Sequence, residues 1–583
     1  MKKLLFISFV ILGFSSCNMD LEPVIDNTYG DDFAFGLPVR TEGFLMNAYA
    51  NIPNTVTSAY SGDFLDAATD NAVTNNFGAI YRVGSGGLTV QTDPIGGWDN
   101  AYNQFRNIHI FLERGLGPNV IYNLNDPDAD MAKRINLKGE AFFLRAWWGF
   151  QLLQQFGGKT NTGEALGYAI VLNSLSSEEA ADLDSFSRNT YEECVAQITQ
   201  DLDSAFLYLP FEYSGNDPIF GIQNLGRANK QTTLALKARL GIYAASPAYQ
   251  PDDVVRLDGM GQYSVVNGQS FQDKWVRAAE YAQEAIELIG DFSGLTPNDF
   301  NANITPQEFL FRNYHNDRAL EVQNYPIRQF GNARLGPSQN LVNSFPMANG
   351  YPISDPRSNF DPNNPYEGRD PRLAWTVLYN GVELNGSPIE VFEGGRDSRS
   401  SNPQNTRTGY YLRKWLSVQP GLTDVENPGN DHHYHVLLRR TEVFLNLAEA
   451  SNEAYGPMGF GPGQSQSALE IIKSIRSNAG IQNHSYIEEM AAAGKEEFRK
   501  VIQNERRIEL AFENHRYFDM RRWLLPLNED VMGVMINQEE DGEFNYDYVS
   551  VEKRNFNEVK YYYLPIPYNE VVKSQNLVNN LGW

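Results

Sequence analysis

Glu442 and Glu449 are the first place to look for acid–base chemistry in this chain of 583 residues. On a helix they share a face with Leu438 and Leu445, and seven residues rise about 10 Å along the axis. Glycosidase carboxylates stand roughly 5 to 9.5 Å apart across an open cleft. This pair is too widely spaced and lies on a face that should pack, so it predicts ion-paired core positions rather than a catalytic dyad. His432, His433 and His435 form the only histidine cluster. On an extended strand His433 and His435 share a face and could reach a metal, but no cysteine or third spaced ligand completes a site. Asp126, Asp128 and Asp130 begin like a calcium loop and then lack its Gly and its closing Glu. No Gly-x-Ser-x-Gly, His-Glu-x-x-His or Walker loop occurs. These residues predict no enzyme, no metal and no cofactor.

The most informative run is Asn504 to Trp523. At helical spacing Val501, Ile508 and Phe512 share one face, and Glu505 falls inside it. A carboxylate there needs a cation, and Arg521 and Arg522 are the nearby candidates. The spacing predicts a helix locked to its continuation by buried ion pairs.

The elements that must position such groups are mostly helices. The pattern predicts helices at Trp98–Gly115, Met131–Phe156, Ala228–Ala245, Ser270–Ile289, Val436–Tyr455, Ser465–Ala479 and Lys495–Phe512. Another opens at the Thr190–Glu193 capping box and runs to Leu209. Asp291 to about Asp431 is rich in Gly, Pro and Asn and reads as loops and short strands, including Trp375–Tyr379. The last forty residues read as irregular. Paired helices of this length suggest a stacked repeat, although no clean period is visible. Trp98 and Trp275 open helices and read as core.

Met1-Lys2-Lys3, an apolar stretch from Leu4 to Phe14, and Ser15-Ser16 describe a secretory signal over residues 1–16. The stretch is too short to span a membrane. Cys17 follows the small pair and looks like the acylated cysteine of a bacterial lipoprotein, with Phe14 where Leu is usual. Residues 17–40 read as a tether and entry loop. With Cys17 acylated, the other cysteine, Cys194, can form no disulfide and reads as a small buried residue. The formal charge of −25 becomes about −27 once Lys2 and Lys3 are cleaved away. Such a chain repels nucleic acid and anionic lipid, so attachment falls to the anchor. Aromatic residues reach 13%, led by 34 Phe and 31 Tyr. Many of the Tyr and Trp lie in polar loops, where amphipathic rings suit a binding surface.

The 504–523 run closely resembles the C-terminal signature of the SusD/RagB family of Bacteroidetes outer-membrane lipoproteins. Gly139 to Trp148 is similar to the family's second-helix motif, with Trp147 and Trp148 where Tyr is usual. Asp201–Ala205, Gly226–Ala228, Pro337–Val342, Arg369–Arg372, Gly409–Tyr411 with Lys414–Trp415, Arg440–Glu442 and Ala448–Ala450 follow in order. Leu564–Pro567 and Gly582–Trp583 close the chain, with Leu581 in place of the usual Pro. The resemblance implies a mainly α fold: a tetratricopeptide-like scaffold over 41–290 packed against a loop-rich part with short strands over 291–583. It also implies that Asp20 and Glu22 after the cysteine direct export to the cell surface, and that the partner is a SusC-like TonB-dependent barrel to which a nutrient oligomer is delivered.

A glycan is the expected cargo, with peptide cargo, a surface glycosidase and a non-binding scaffold as alternatives. None of these motifs marks the ligand. Loops interrupting the scaffold are the expected contact surface: Tyr60, Asp63, Asn75, Asn76, Phe77 and Tyr81 in one, and Asn324, Tyr325, Arg328 and Phe330 in another. The opposing reading is that these rings pin the loops to the scaffold.

Overall fold

The computed structural model describes residues 31–417, 431–574 and 576–583. The signal segment 1–16, Cys17, and residues 18–30 of the expected tether lie outside them. Residues 31–40 are not plain linker: a short helix covers Asp31–Phe35, and α1 (Pro38–Ala50) already starts with Pro38, whose fixed φ suits a first helical turn.

The scaffold continues through α2 (Trp98–Ile110), α3 (Pro127–Phe156), α4 (Tyr191–Tyr208), α5 (Lys230–Ala245) and α6 (Gly268–Ile289). Each neighbour in this order packs against the next, as stacked helical repeats do. Local chemistry sets the ends. The Asp126 carboxylate accepts from the backbone N–H groups of Asp128 and Ala129, so the supposed calcium loop is an N-cap for the long α3. Asp130 turns back to Arg134 at 2.8 Å. Thr190 and Glu193 cap α4 reciprocally. α2 passes into a π turn at Phe111–Gly115 rather than continuing as regular helix to Gly115. α5 is buried on all sides, which places it at the centre of the stack.

The second half is built on α7 (Arg440–Tyr455), α8 (Ala468–Asn478), α9 (Lys495–Glu509) and α10 (Arg516–Arg522). α7 packs on both α5 and α6, so the two halves share one core. The strands are short and paired in twos. β1 (Ala72–Thr74) pairs with β3 (Leu335–Pro337), β2 (Phe309–Asp317) with β4 (Asp431–Arg439), and β5 (Val531–Gln538) with β6 (Phe544–Glu552). The fold is thus a mainly α repeat scaffold carrying a loop-rich part.

Four expectations are corrected. Val436–Arg439 belongs to β4, because Val436 and Arg439 sit opposite Arg312 and Phe309 of β2. α9 stops at Glu509 rather than Phe512. Phe512 and Asn514 are left-handed, the Phe512 carbonyl accepts from the Trp415 indole at 3.1 Å, and the Asn514 amide holds Leu65 N–H at 2.8 Å. The last forty residues hold β6, hence half of a hairpin. Trp375–Tyr379 is divided, a helix covering Pro371–Thr376 and a strand Val377–Leu378.

The ion-pair expectation holds in kind and changes in partner. Glu505 is buried against Arg372 at 2.6 Å, not against Arg521 or Arg522. Arg522 joins Glu449 and Asp519, and Arg521 lies over the Tyr517 ring at 3.3 Å. Asp519 in turn meets Arg506 at 2.8 Å. Glu442 is clamped by Arg239 of α5. Cys194, Trp98 and Trp275 are buried, as expected.

Candidate functional site

A cleft of about 540 Å3 opens where the scaffold meets the second half. Six chain segments wall it: the Asn51–Asn54 loop after α1 with Tyr60, the Gly96–Gly97 entry to α2, one face of α3, Arg239 of α5, His435–Leu437 of β4, and the Glu513–His515 turn before α10. The loop is held in place by its Pro53 carbonyl, which accepts from His435 Nδ1 at 2.7 Å and from the Asn313 amide at 2.8 Å. Gly96 has to be glycine: a Cβ there would meet the Phe156 ring at 2.5 Å. The Gly97 N–H donates to Gln155 Oε1 at 2.8 Å and fixes that wall to α3.

Gln151, Gln154 and Gln155 fall at i, i+3 and i+4 on α3 and face the cleft together. Gln154 gives its amide to the Tyr243 hydroxyl at 2.7 Å and keeps its carbonyl oxygen. Neither the Gln151 nor the Asn54 side chain makes a hydrogen bond to any described residue. Tyr60 presents a half-buried ring with a hydroxyl tip. Trp147 and Trp148 are deeper, the latter tied by its indole N–H to the Ala48 carbonyl at 3.3 Å.

Among the described lining residues, Glu513 is the only carboxylate and Arg239 the only permanent cation. Burial alone would raise the Glu513 carboxyl, but Arg439 and Lys414 hold it down at about 2. Burial pushes His435 down to about 4. It does the same to His515, helped by Arg239 and Arg506. Both imidazoles are therefore neutral at neutral pH. The cleft offers amides, hydroxyls and rings, and no pair of open carboxylates among the described residues.

Of the sequence-predicted residues, only Tyr60 lines this cleft. The remainder gather elsewhere, because β1 pairs with β3 and the Asn75 N–H donates to the Arg334 carbonyl at 2.7 Å. The two expected loops thus adjoin. Asp63 is buried and accepts from Thr74 at 3.0 Å and Asn76 at 2.7 Å. The Asn75 amide donates to the Ala333 carbonyl at 2.6 Å. Asn324 and Tyr325 are also buried: the Asn324 amide reaches the Leu320 carbonyl at 2.9 Å, and the Tyr325 hydroxyl the Ser417 carbonyl. Arg328 is engaged bidentately by Asp397 at 3.0 and 3.1 Å. Phe77 and Phe330 are each 59% exposed, and Phe77 is met by Tyr81 edge-on at 4.8 Å and by the Arg407 guanidinium at 5.6 Å. His433 and His435 do not converge on a metal: His433 lies against Glu321 at 3.2 Å and stacks on His315, while His435 is tied to Pro53. No group of three potential ligands is placed for a metal among the described residues. Nor is any described helix long and apolar enough to cross a membrane.

Two family models match this chain. One, described as the SusD family, covers residues 299–583; the other, described as starch-binding and associating with the outer membrane, covers 41–240. The chain belongs to the SusD/RagB family. A SusD-like protein of Formosa agariphila is 23% identical over 487 residues, 81% of this chain and 76% of its own. Among solved structures, a SusD-like protein of Bacteroides fragilis superposes with a TM-score of 0.71 at 21% identity, covering 96% of this chain and 99% of its own. A protein described as a laminarin-binding SusD-like protein superposes with a TM-score of 0.57 at 17% identity, covering 94% and 99%. These SusD-like folds share the helical scaffold seen here, and the 504–523 signature supplies its buried ion pairs.

Proposed function

We propose that this SusD-family chain is a non-catalytic receptor at the outer membrane that binds a glycan oligomer and passes it to a TonB-dependent barrel. The observation that carries the reading is the cleft at the scaffold junction, where unengaged Gln and Asn amides stand beside the Tyr60 ring and hydroxyl. Amides pair with sugar hydroxyls as donor and acceptor at once, and a flat ring covers the C–H face of a pyranose. The spent carboxylates support a role without bond cleavage: Glu442 and Glu449 are clamped by Arg239 and Arg522, and Glu513 by Arg439 and Lys414. Cys17 is the proposed acylation site, holding the chain at the exterior face. The exposed Phe77 and Phe330 rings are proposed as a second contact surface for the same polymer.

Affinity electrophoresis of the full chain in gels cast with single polysaccharides tests this. Retarded migration without reducing-end product, weakened by Tyr60→Ala and Gln151→Ala, is the expected result. Release of shorter sugars by the purified chain would refute it.

A further inference from the structure

The cleft carries a second message in how its charges are arranged. Arg239 is engaged through two of its three nitrogens: its Nε donates to Glu442 Oε1 at 2.6 Å, and its Nη2 to Glu442 Oε2 and to the Leu437 carbonyl at 2.6 Å. Glu513 receives Lys414 at 2.7 Å and Arg439 at 2.9 and 3.0 Å. Both charges are therefore neutralised by partners behind the wall. His435 spends its Nδ1 proton on Pro53, and His515 accepts from Arg506 at 3.4 Å, so neither ring carries a charge into the space. Apart from Arg239 Nη1 in its neutralised pair, the lining groups left without a partner are uncharged: the side chains of Asn54 and Gln151, the Gln154 carbonyl oxygen and the Tyr60 hydroxyl.

We infer that this cleft takes an uncharged stretch of oligosaccharide and discriminates against chains bearing uronates or sulfates. The inference rests on the receptor reading and narrows its substrate class. A sugar carboxylate or sulfate entering the cleft would give up water and find no free cation, which is costly. The only guanidinium within reach already pairs with the Glu442 carboxylate through Nε and Nη2, so an anion approaching its remaining Nη1 would meet a neutral pair and the repulsion of Glu442. The field of the whole chain works in the same direction, since a protein of net charge −25 repels polyanions before contact. The termini of a peptide would meet the same lack of counter-charges. Specificity here comes from what the wall withholds as much as from what it offers.

The test uses the full chain in detergent and a panel of neutral polymers (laminarin, starch, arabinoxylan) and acidic ones (alginate, carrageenan), with affinity electrophoresis at low and high salt. The expected result is retention by a neutral polymer, unchanged by salt, with acidic polymers weaker by about tenfold or more. Gln151→Arg adds an unpaired cation to the wall and is expected to bring acidic polymers into the cleft with a salt-sensitive affinity, at the expense of the neutral one. Wild-type retention of alginate or carrageenan equal to that of the best neutral polymer overturns the inference and leaves the receptor reading standing. Retention of no polymer of either kind overturns both.

Discussion

Replacing Asp519 with asparagine keeps the shape of the side chain and removes its charge from the centre of the second half. Asp519 is buried between Arg506 and Arg522, each at 2.8 Å. Arg506 keeps Asn446 at 2.8 Å, and Arg522 keeps its pairing with Glu449, so the site is weakened rather than emptied. Breaking a buried pair on one side costs about 3–5 kcal/mol. Burial by itself would raise the carboxyl, but the two guanidiniums hold it at about 2 against an ordinary 3.8. Folding therefore loosens the proton, and the stabilisation is complete above the ordinary value. It is lost as pH falls from 3.8 through about 2, and it amounts to about 2 kcal/mol. Urea unfolding followed by tryptophan fluorescence should show Asp519→Asn destabilised by about 3 kcal/mol at neutral pH. The variant should also show a shallower loss of stability over that acid window, with the remaining slope carried by groups such as Glu513. A loss below about 1 kcal/mol at neutral pH, or an acid slope equal to that of the wild type, would show that the triad is not a net contributor and refute this reasoning.

Three further outcomes are expected. Tyr60→Phe should weaken glycan retention with the melting temperature unchanged, since it keeps the half-buried ring packed and removes only the hydroxyl, and Tyr60→Ala should weaken it by about three- to tenfold; retention unchanged in both variants would refute the contact. Cys194 is buried, and burial pushes its thiol up to about 12, so the native chain should not react with a disulfide reagent. After denaturation the acylated chain should titrate one thiol, whereas two would show that Cys17 is unmodified. Gly96→Ala should lower thermal stability by about 1–3 kcal/mol, because its Cβ would press on Phe156 at 2.5 Å; a stable variant with unchanged glycan retention would refute the close fit of that wall.

Most of the scaffold was legible because its signals are local. The Thr190–Glu193 box and the 3.6-residue apolar spacing each depend on neighbours within one or two turns. Asp126 before Pro127 is a local signal of the same kind, but its alternation with Asp128 and Asp130 reads first as a cation loop, and the Pro38 start is hidden in a polar stretch that reads as tether. Glu442 and Glu449 could be read as paired, because a carboxylate on an apolar face has to be. Their partners could not, since Arg239 is 203 residues from Glu442 and Arg372 is 133 residues from Glu505. The same limit applies where α9 stops. Helical spacing continues through Phe512, but contacts to Trp415 and Asp66 outweigh it. The β5–β6 hairpin did have a signal in Asp541-Gly542 flanked by alternating Phe544, Tyr546 and Tyr548. The cleft was the least legible feature. Six separate segments build it, and its one compact clue was the trio Gln151, Gln154 and Gln155, polar residues clustered on the half of a helix that is otherwise largely buried.

The long sequence separation of the ion pairs also bears on how the chain is made. Asp70 near the start is gripped by Arg516, 446 residues later, and Arg239 waits for Glu442. A chain threaded through a secretion pore from its N-terminus exposes the early members of these pairs long before the late ones arrive. On the export route proposed for this chain, its first half would lack these partners until the final stretch emerges. A message truncated ahead of Arg522 would thus yield a product fit for proteolysis rather than a half-working protein.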